Sequence, residues 1–272
     1  MKFKPILACT WLTMLSGSAA AAERHFGFSH ESSALAPGLA ELEPWTTVHL
    51  GRSDYYSRID ARLGFQFGLA KSLQAALFWD ASNVTEDILV PGAALKSRLS
   101  TTELQSLTAE LKYKFSDPIA DALGSALLVD GIIGSRVMGY EARAILDKQY
   151  GSVLFALNLV GGTVEQLELR SYTLSRFGAS LAVGYFLTPS VLTGIELRSE
   201  NAYSNQPDDP SREHQHSALY GGPSVSFVGA RYWLTLALSP QLLALKGATR
   251  GHHLDLSENE QLQTRLMLGF QL

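Results

Sequence analysis

Residues 57–69, SRIDARLGFQFGL, alternate almost without lapse. Ile59, Ala61, Leu63, Phe65, Phe67 and Leu69 fall on one side, and Arg58, Asp60, Arg62, Gly64, Gln66 and Gly68 on the other. Side chains of an extended strand point alternately to two faces, so this stretch predicts a strand with one apolar and one charged face. The period recurs. ELEPWTTVHLGR sets Leu42, Thr46, Val48 and Leu50 against Glu41, Glu43, Thr47 and His49, with Pro44 and Trp45 interrupting it. LQAALFWDA opposes Leu73, Ala75, Leu77, Trp79 and Ala81 to Gln74, Ala76, Phe78 and Asp80. LTAELKYKF opposes Leu107, Ala109, Leu111, Tyr113 and Phe115 to Thr108, Glu110, Lys112 and Lys114. Further strands are expected over about 122–131, 137–149, 152–160, 170–187, 191–200, 217–228, 230–239 and 260–272, about twelve from Glu41 onward.

Such strands suit a soluble sandwich, whose charged face meets water, or an outer-membrane barrel, whose apolar face meets lipid and whose charged face lines a lumen. The links decide. Every second one is tight, at 70–72, 116–121, 150–151, 188–190 and 228–230, whereas the other set includes long polar links at about 83–104, 201–216 and 240–259. Sorting of short turns to one rim and long loops to the other marks an outer-membrane barrel, with both termini in the periplasm when the strand count is even. The last stretch, TRLMLGFQL, puts Leu266, Leu268, Phe270 and Leu272 on one face. It resembles the C-terminal signal read by the bacterial barrel-assembly machinery, although its aromatic stands two residues early. The predicted fold is therefore all-β, an antiparallel transmembrane β-barrel of about twelve strands over residues 39–272.

Ahead of it, residues 1–22 carry Lys2 and Lys4, an apolar stretch from Pro5 to Leu15 and a small-residue end at Ala20, Ala21 and Ala22, the layout of a signal peptide cleaved after Ala22. A lipoprotein box at ILAC, acylated on Cys9, is the rival reading, and the apolar run that continues past Cys9 argues against it. Cleavage would remove Cys9, leaving no cysteine in the mature chain. The loss of Lys2 and Lys4 takes the formal charge from −4 to −6, which argues against a nucleic-acid partner. No uninterrupted apolar run of about 18 residues remains for a helical span.

Phe67, Phe115, Tyr150, Tyr185, Tyr232 and Phe270 fall near the tight-turn ends and Tyr55, Trp79 and Tyr140 near the long-loop ends, as two interfacial girdles require. The blocks GLAELEPWTT, GLAKSLQAALFWD, LKYKFSDP, ILDKQYG, FALNLV, GIELRSE and GPSVSF resemble those of a poorly characterised family of proteobacterial outer-membrane barrel proteins. The resemblance spans nearly the whole mature chain and implies a barrel and its location. It implies no reaction.

Parity places Glu43, Arg58, Asp60, Arg62, Lys112, Arg143, Glu196 and Arg198 in the lumen. Interleaved charges fit a hydrated pore selecting small polar solutes, or a ladder of ion pairs closing a narrow lumen. The row Gly178, Ser180, Ala182 and Gly184 leaves room on one wall for solute or an inserted segment. That segment is residues 23–38, ERHFGFSHESSALAPG, for which a plug, a rim pairing and an extra strand all fit. Barrel lipases carry a histidine beside a nucleophilic serine in a His-x-Ser-Asn-Gly stretch, which this chain lacks, and His49 has no serine and carboxylate assigned beside it. His214 and His216 near Asp208, Asp209 and Glu213, and His252 and His253 near Asp255 and Glu258, have no standard metal spacing. The expectation is a monomeric, non-enzymatic channel or uptake barrel with no cofactor, contacting lipid and lipopolysaccharide. The alternative is a non-conducting barrel serving envelope integrity, adhesion or partner binding.

Overall fold

A computed structural model describes residues 24–89, 96–167, 172–206 and 209–272. The expected leader and Asp208 lie outside the described residues. The alternating segments form β1 (Ala40–Leu50), β2 (Tyr56–Ala70), β3 (Leu73–Leu89), β4 (Lys96–Ser116), β5 (Gly124–Ile133) and β6 (Val137–Tyr150). They continue as β7 (Val153–Gln166), β8 (Tyr172–Thr188), β9 (Val191–Gln206), β10 (Asp209–Val228), β11 (Tyr232–Lys246) and β12 (Leu262–Gln271). Each strand pairs antiparallel with its neighbour in sequence, and β12 closes on β1. Closure leaves no open sheet edge, which a strand surrounded by lipid requires.

The two faces separate as the alternation dictates. Outward rows such as Leu63, Trp79 and Leu107, or Leu157, Leu181 and Leu197, sit side by side across neighbouring strands and are exposed. Inward residues Glu41, Gln66, Gln74, Thr108 and Asn158 are buried. An exposed apolar wall around a polar interior inverts a soluble protein and is the surface of a membrane-spanning barrel.

Two of the long links are shorter than the sequence suggests. β3 runs to Leu89 and β4 starts at Lys96, while β9 runs to Gln206 and β10 starts at Asp209. These hairpins extend past the apolar band, where both faces meet water and the alternation of polarity fades although the ladder continues. Polar cross-strand bonds such as Asn83 Nδ2 to Thr102 Oγ1 (2.6 Å) replace the apolar face there. Trp79 consequently lies within the apolar band, with ten strand residues beyond it, and not at the loop end of its strand.

The third long link is a true loop, residues 247–261, and it turns inward. Leu254, Asp255, Asn259 and Glu260 are buried, and Glu260 bonds Arg52 from the β1–β2 link (2.6 Å). Residues 24–38 occupy the lumen near the opposite, tight-turn rim, where Gly38 N donates to Gly68 O (2.9 Å).

Candidate functional site

Residues 24–38 form no strand, so their backbone groups need partners from elsewhere inside the barrel. The wall supplies them. Glu196 on β9 accepts the N–H groups of Gly27 (2.7 Å), Phe28 (2.9 Å) and Ser29 (2.8 Å). Asn158 on β7 accepts from His30 N (2.7 Å) and donates to its carbonyl (2.8 Å). Asp147 on β6 and Gln74 on β3 accept from Ser32 N and Leu35 N, each at 2.9 Å. Lys112 on β4 donates to the carbonyls of Glu31 (2.7 Å) and Ser33 (2.5 Å).

Apolar packing completes the plug. Phe26 is buried among Leu154, Ala156, Ala182 and Leu192. The room comes from small residues: Ser29 Oγ bonds Ser180 Oγ (3.0 Å), and a Cβ on Gly27 would come within 2.5 Å of the Ala237 Cβ. The row Gly178, Ser180, Ala182 and Gly184 thus faces an inserted segment on its lower part, while Gly178 and Ser180 also border open space above.

That space is a chamber of about 760 Å³ between the plug and the inturned loop. Phe28 and His30 contribute to its floor, and Glu258, Asn259 and Glu260 to its loop-side boundary. Of the eight residues expected in the lumen, Arg58, Asp60, Arg62, Arg143 and Arg198 border the chamber. Glu43, Lys112 and Glu196 lie lower and hold the plug, Glu43 through Arg24 (2.7 Å).

Ion pairs line the chamber wall. Arg58 meets Asp60 (2.6 Å), Arg143 meets Glu141 (3.0 Å), Arg62 meets Asp80, and Arg198 meets Glu200. Guanidinium groups also stack on aromatic rings, among them Trp45 and Phe28. Arg24, Arg62 and Arg265 lie 5.4, 4.8 and 4.5 Å from the Trp45 ring centre, and Arg198 and Arg265 lie 4.1 and 4.3 Å from that of Phe28. Planar guanidinium over an aromatic face is held in place while its edge N–H groups stay available to an anion.

His49 departs from expectation. Its Nε2 lies 3.0 Å from Asp60 and its Nδ1 3.3 Å from Glu260, so carboxylates do flank it. The second carboxylate comes from a loop about 210 residues away, beyond any local reading. Both ring nitrogens face carboxylates, which leaves neither for activating a serine hydroxyl. Burial pushes the Glu260 carboxyl up, but hydrogen bonds from His49 and Arg52 outweigh it and hold the group at about 2. His214 stacks on Tyr203, and His216 bonds Asn259 (3.1 Å).

Trp45 and Asp130 carry no flag in the sequence. Trp45 reads as an interruption after Pro44, and Asp130 sits in GSALLVDGII, where apolar residues occupy both faces. Leu128 is apolar and inward because it is buried inside the wall, near the plug. Only knowledge of the plug would have restored the parity of that strand.

The closed twelve-stranded barrel with its apolar outer wall and polar interior defines a class, the outer-membrane β-barrel. Within it, the chain belongs to the family of unknown function DUF6662, whose model matches residues 18–137 and 173–272. Its fold is similar to that of the COG4313 outer membrane channel from Pseudomonas putida F1, with a TM-score of 0.65, 15% identity, and coverage of 89% of this chain and 98% of that one. It is also similar to the NanC porin, with a TM-score of 0.52, 9% identity, and coverage of 85% and 100%. No curated protein matches the chain.

Proposed function

We propose that the protein is an outer-membrane channel or uptake barrel for small polar solutes, with its tight-turn rim and both termini in the periplasm. The observation that carries this reading is the chamber of about 760 Å³, bordered by charged side chains and bounded toward the tight-turn rim by residues 24–38. Solute would collect there from the loop side. Passage to the periplasm requires the plug to shift. The similarity in fold to two channel proteins supports the reading, and chemistry on the solute is no part of it.

Single-channel recording in a planar bilayer tests this. The mature chain is compared with a form lacking residues 24–37 and with Arg62→Glu in each background. Discrete steps that grow on deletion, with ion selectivity shifted by Arg62→Glu, are expected. A correctly folded, heat-modifiable barrel that stays silent in both forms would overturn the channel reading. It would favour the non-conducting role, for which the many wall bonds of the plug would serve as filling.

A further inference from the structure

One level of the chamber wall breaks the alternation of sign seen elsewhere. Glu110 on β4 faces Asp130 on β5, and Asp130 in turn faces Glu141 on β6. Directly opposed residues in an antiparallel pair share a face and lie close together, so like charges there are destabilising. The contrast lies on β2 and β3, where the directly opposed pair is Arg62 and Asp80. Glu110, Asp130 and Glu141 all border the chamber. Asp130 is 9% exposed, and its Oδ1 is buried without a hydrogen-bond partner. Filling a lumen does not require three carboxylates in a row.

Arginines stand on the wall away from that row. Arg265 projects from β12, which lies six strands from β6 in either direction around the closed barrel, and Arg198 projects from β9. Both stack on Phe28. Arg265 spends its bonds on neutral groups, Thr47 Oγ1 (2.9 Å) and the Gly27 carbonyl (3.0 Å), and the Nε of Arg198 is buried without a partner. Arg198 also pairs with Glu200, and Glu141 with Arg143, whose Nε is likewise buried without a partner. What stands across the chamber is therefore the unpartnered Asp130 oxygen on one wall and Arg265, bonded to neutral groups, on the other.

We infer that the floor of the chamber binds zwitterionic solutes, with an ammonium group on the row Glu110, Asp130 and Glu141 and a carboxylate on Arg198 and Arg265. This rests on the chamber being a solute compartment. A solute of single charge is attracted by one wall and repelled by the other, whereas a zwitterion lies along the field between them. Charge-assisted bonds at both ends then fix its orientation.

The test uses the purified mature barrel in detergent and three probes of four carbons each: γ-aminobutyrate, butyrate and n-butylammonium. Calorimetric titration should show γ-aminobutyrate binding about tenfold tighter than either control. Asp130→Asn and Arg198→Gln should each remove that preference while the barrel keeps its heat-modifiable migration, and Glu110→Gln serves if either fails to fold. Equal binding of the three probes, or a preference that survives both variants, would overturn the inference. Swelling of proteoliposomes in the same solutes separates it from the channel reading. Binding to the mature barrel with no swelling, either there or in the form lacking residues 24–37, sinks the channel and keeps the site, whereas swelling without preference keeps the channel and sinks the site.

Discussion

At the scale of single residues, Glu196 has the largest share in fixing the plug, because its two oxygens accept three successive backbone N–H groups. Glu196→Gln replaces one acceptor oxygen by a donor that faces another donor. The expected cost is about 1–3 kcal/mol, localised to the plug. Hydrogen exchange should accelerate at Gly27 to Ser29 and stay unchanged in the strands. A steric counterpart is Gly27→Val, whose Cβ would start within 2.5 Å of Ala237. Undocking should expose residues 24–38 to protease while the barrel remains folded; an unchanged digestion pattern would contradict the docking described. Glu260 makes a third prediction. Its carboxyl is held near 2 rather than 4.5, so its bonds to His49 and Arg52 add stability above pH 4.5 and lose it as pH falls toward 2. Pepsin cleavage of residues 247–261 should rise across that window, and Glu260→Gln should weaken the same bonds at neutral pH.

At the scale of elements, alternation located the strands because lipid tolerates almost no polar side chain on the outer face. It located them well only inside the apolar band. Beyond it, Asn83, Thr85, Ser100 and Thr102 face water, and their cross-strand pairing leaves no mark on hydropathy. The plug was legible only as a segment with an open placement. Its partners, Glu196, Asn158, Asp147 and Lys112, come from four strands, and no local spacing links them to residues 24–38. The chamber wall divides in the same way. Arg58, Asp60 and Arg62 follow from parity, whereas the row Glu110, Asp130 and Glu141 needs the register of three strands.

At the scale of the whole molecule, stability depends on keeping charge on one side of a single wall. Leu63 is exposed on the outer face between Pro44 and Trp79, and Arg62 beside it in sequence faces inward. Leu63→Arg should therefore cost about 2–4 kcal/mol, measured as a shift in urea unfolding of the barrel in lipid vesicles. A shift well below that range would mean that this row lies outside the hydrocarbon.

The plug also orders events in time. Gly27 bonds Glu196, 169 residues away, and Arg265, 238 residues away. Residues 24–38, which precede β1, thus cannot reach their place until β12 exists. Contacts of such separation form slowly, since the loop they close must be ordered first. Phe26 and Phe28 therefore stay uncovered until the wall that buries them is built, and seating of residues 24–38 marks the end of barrel closure.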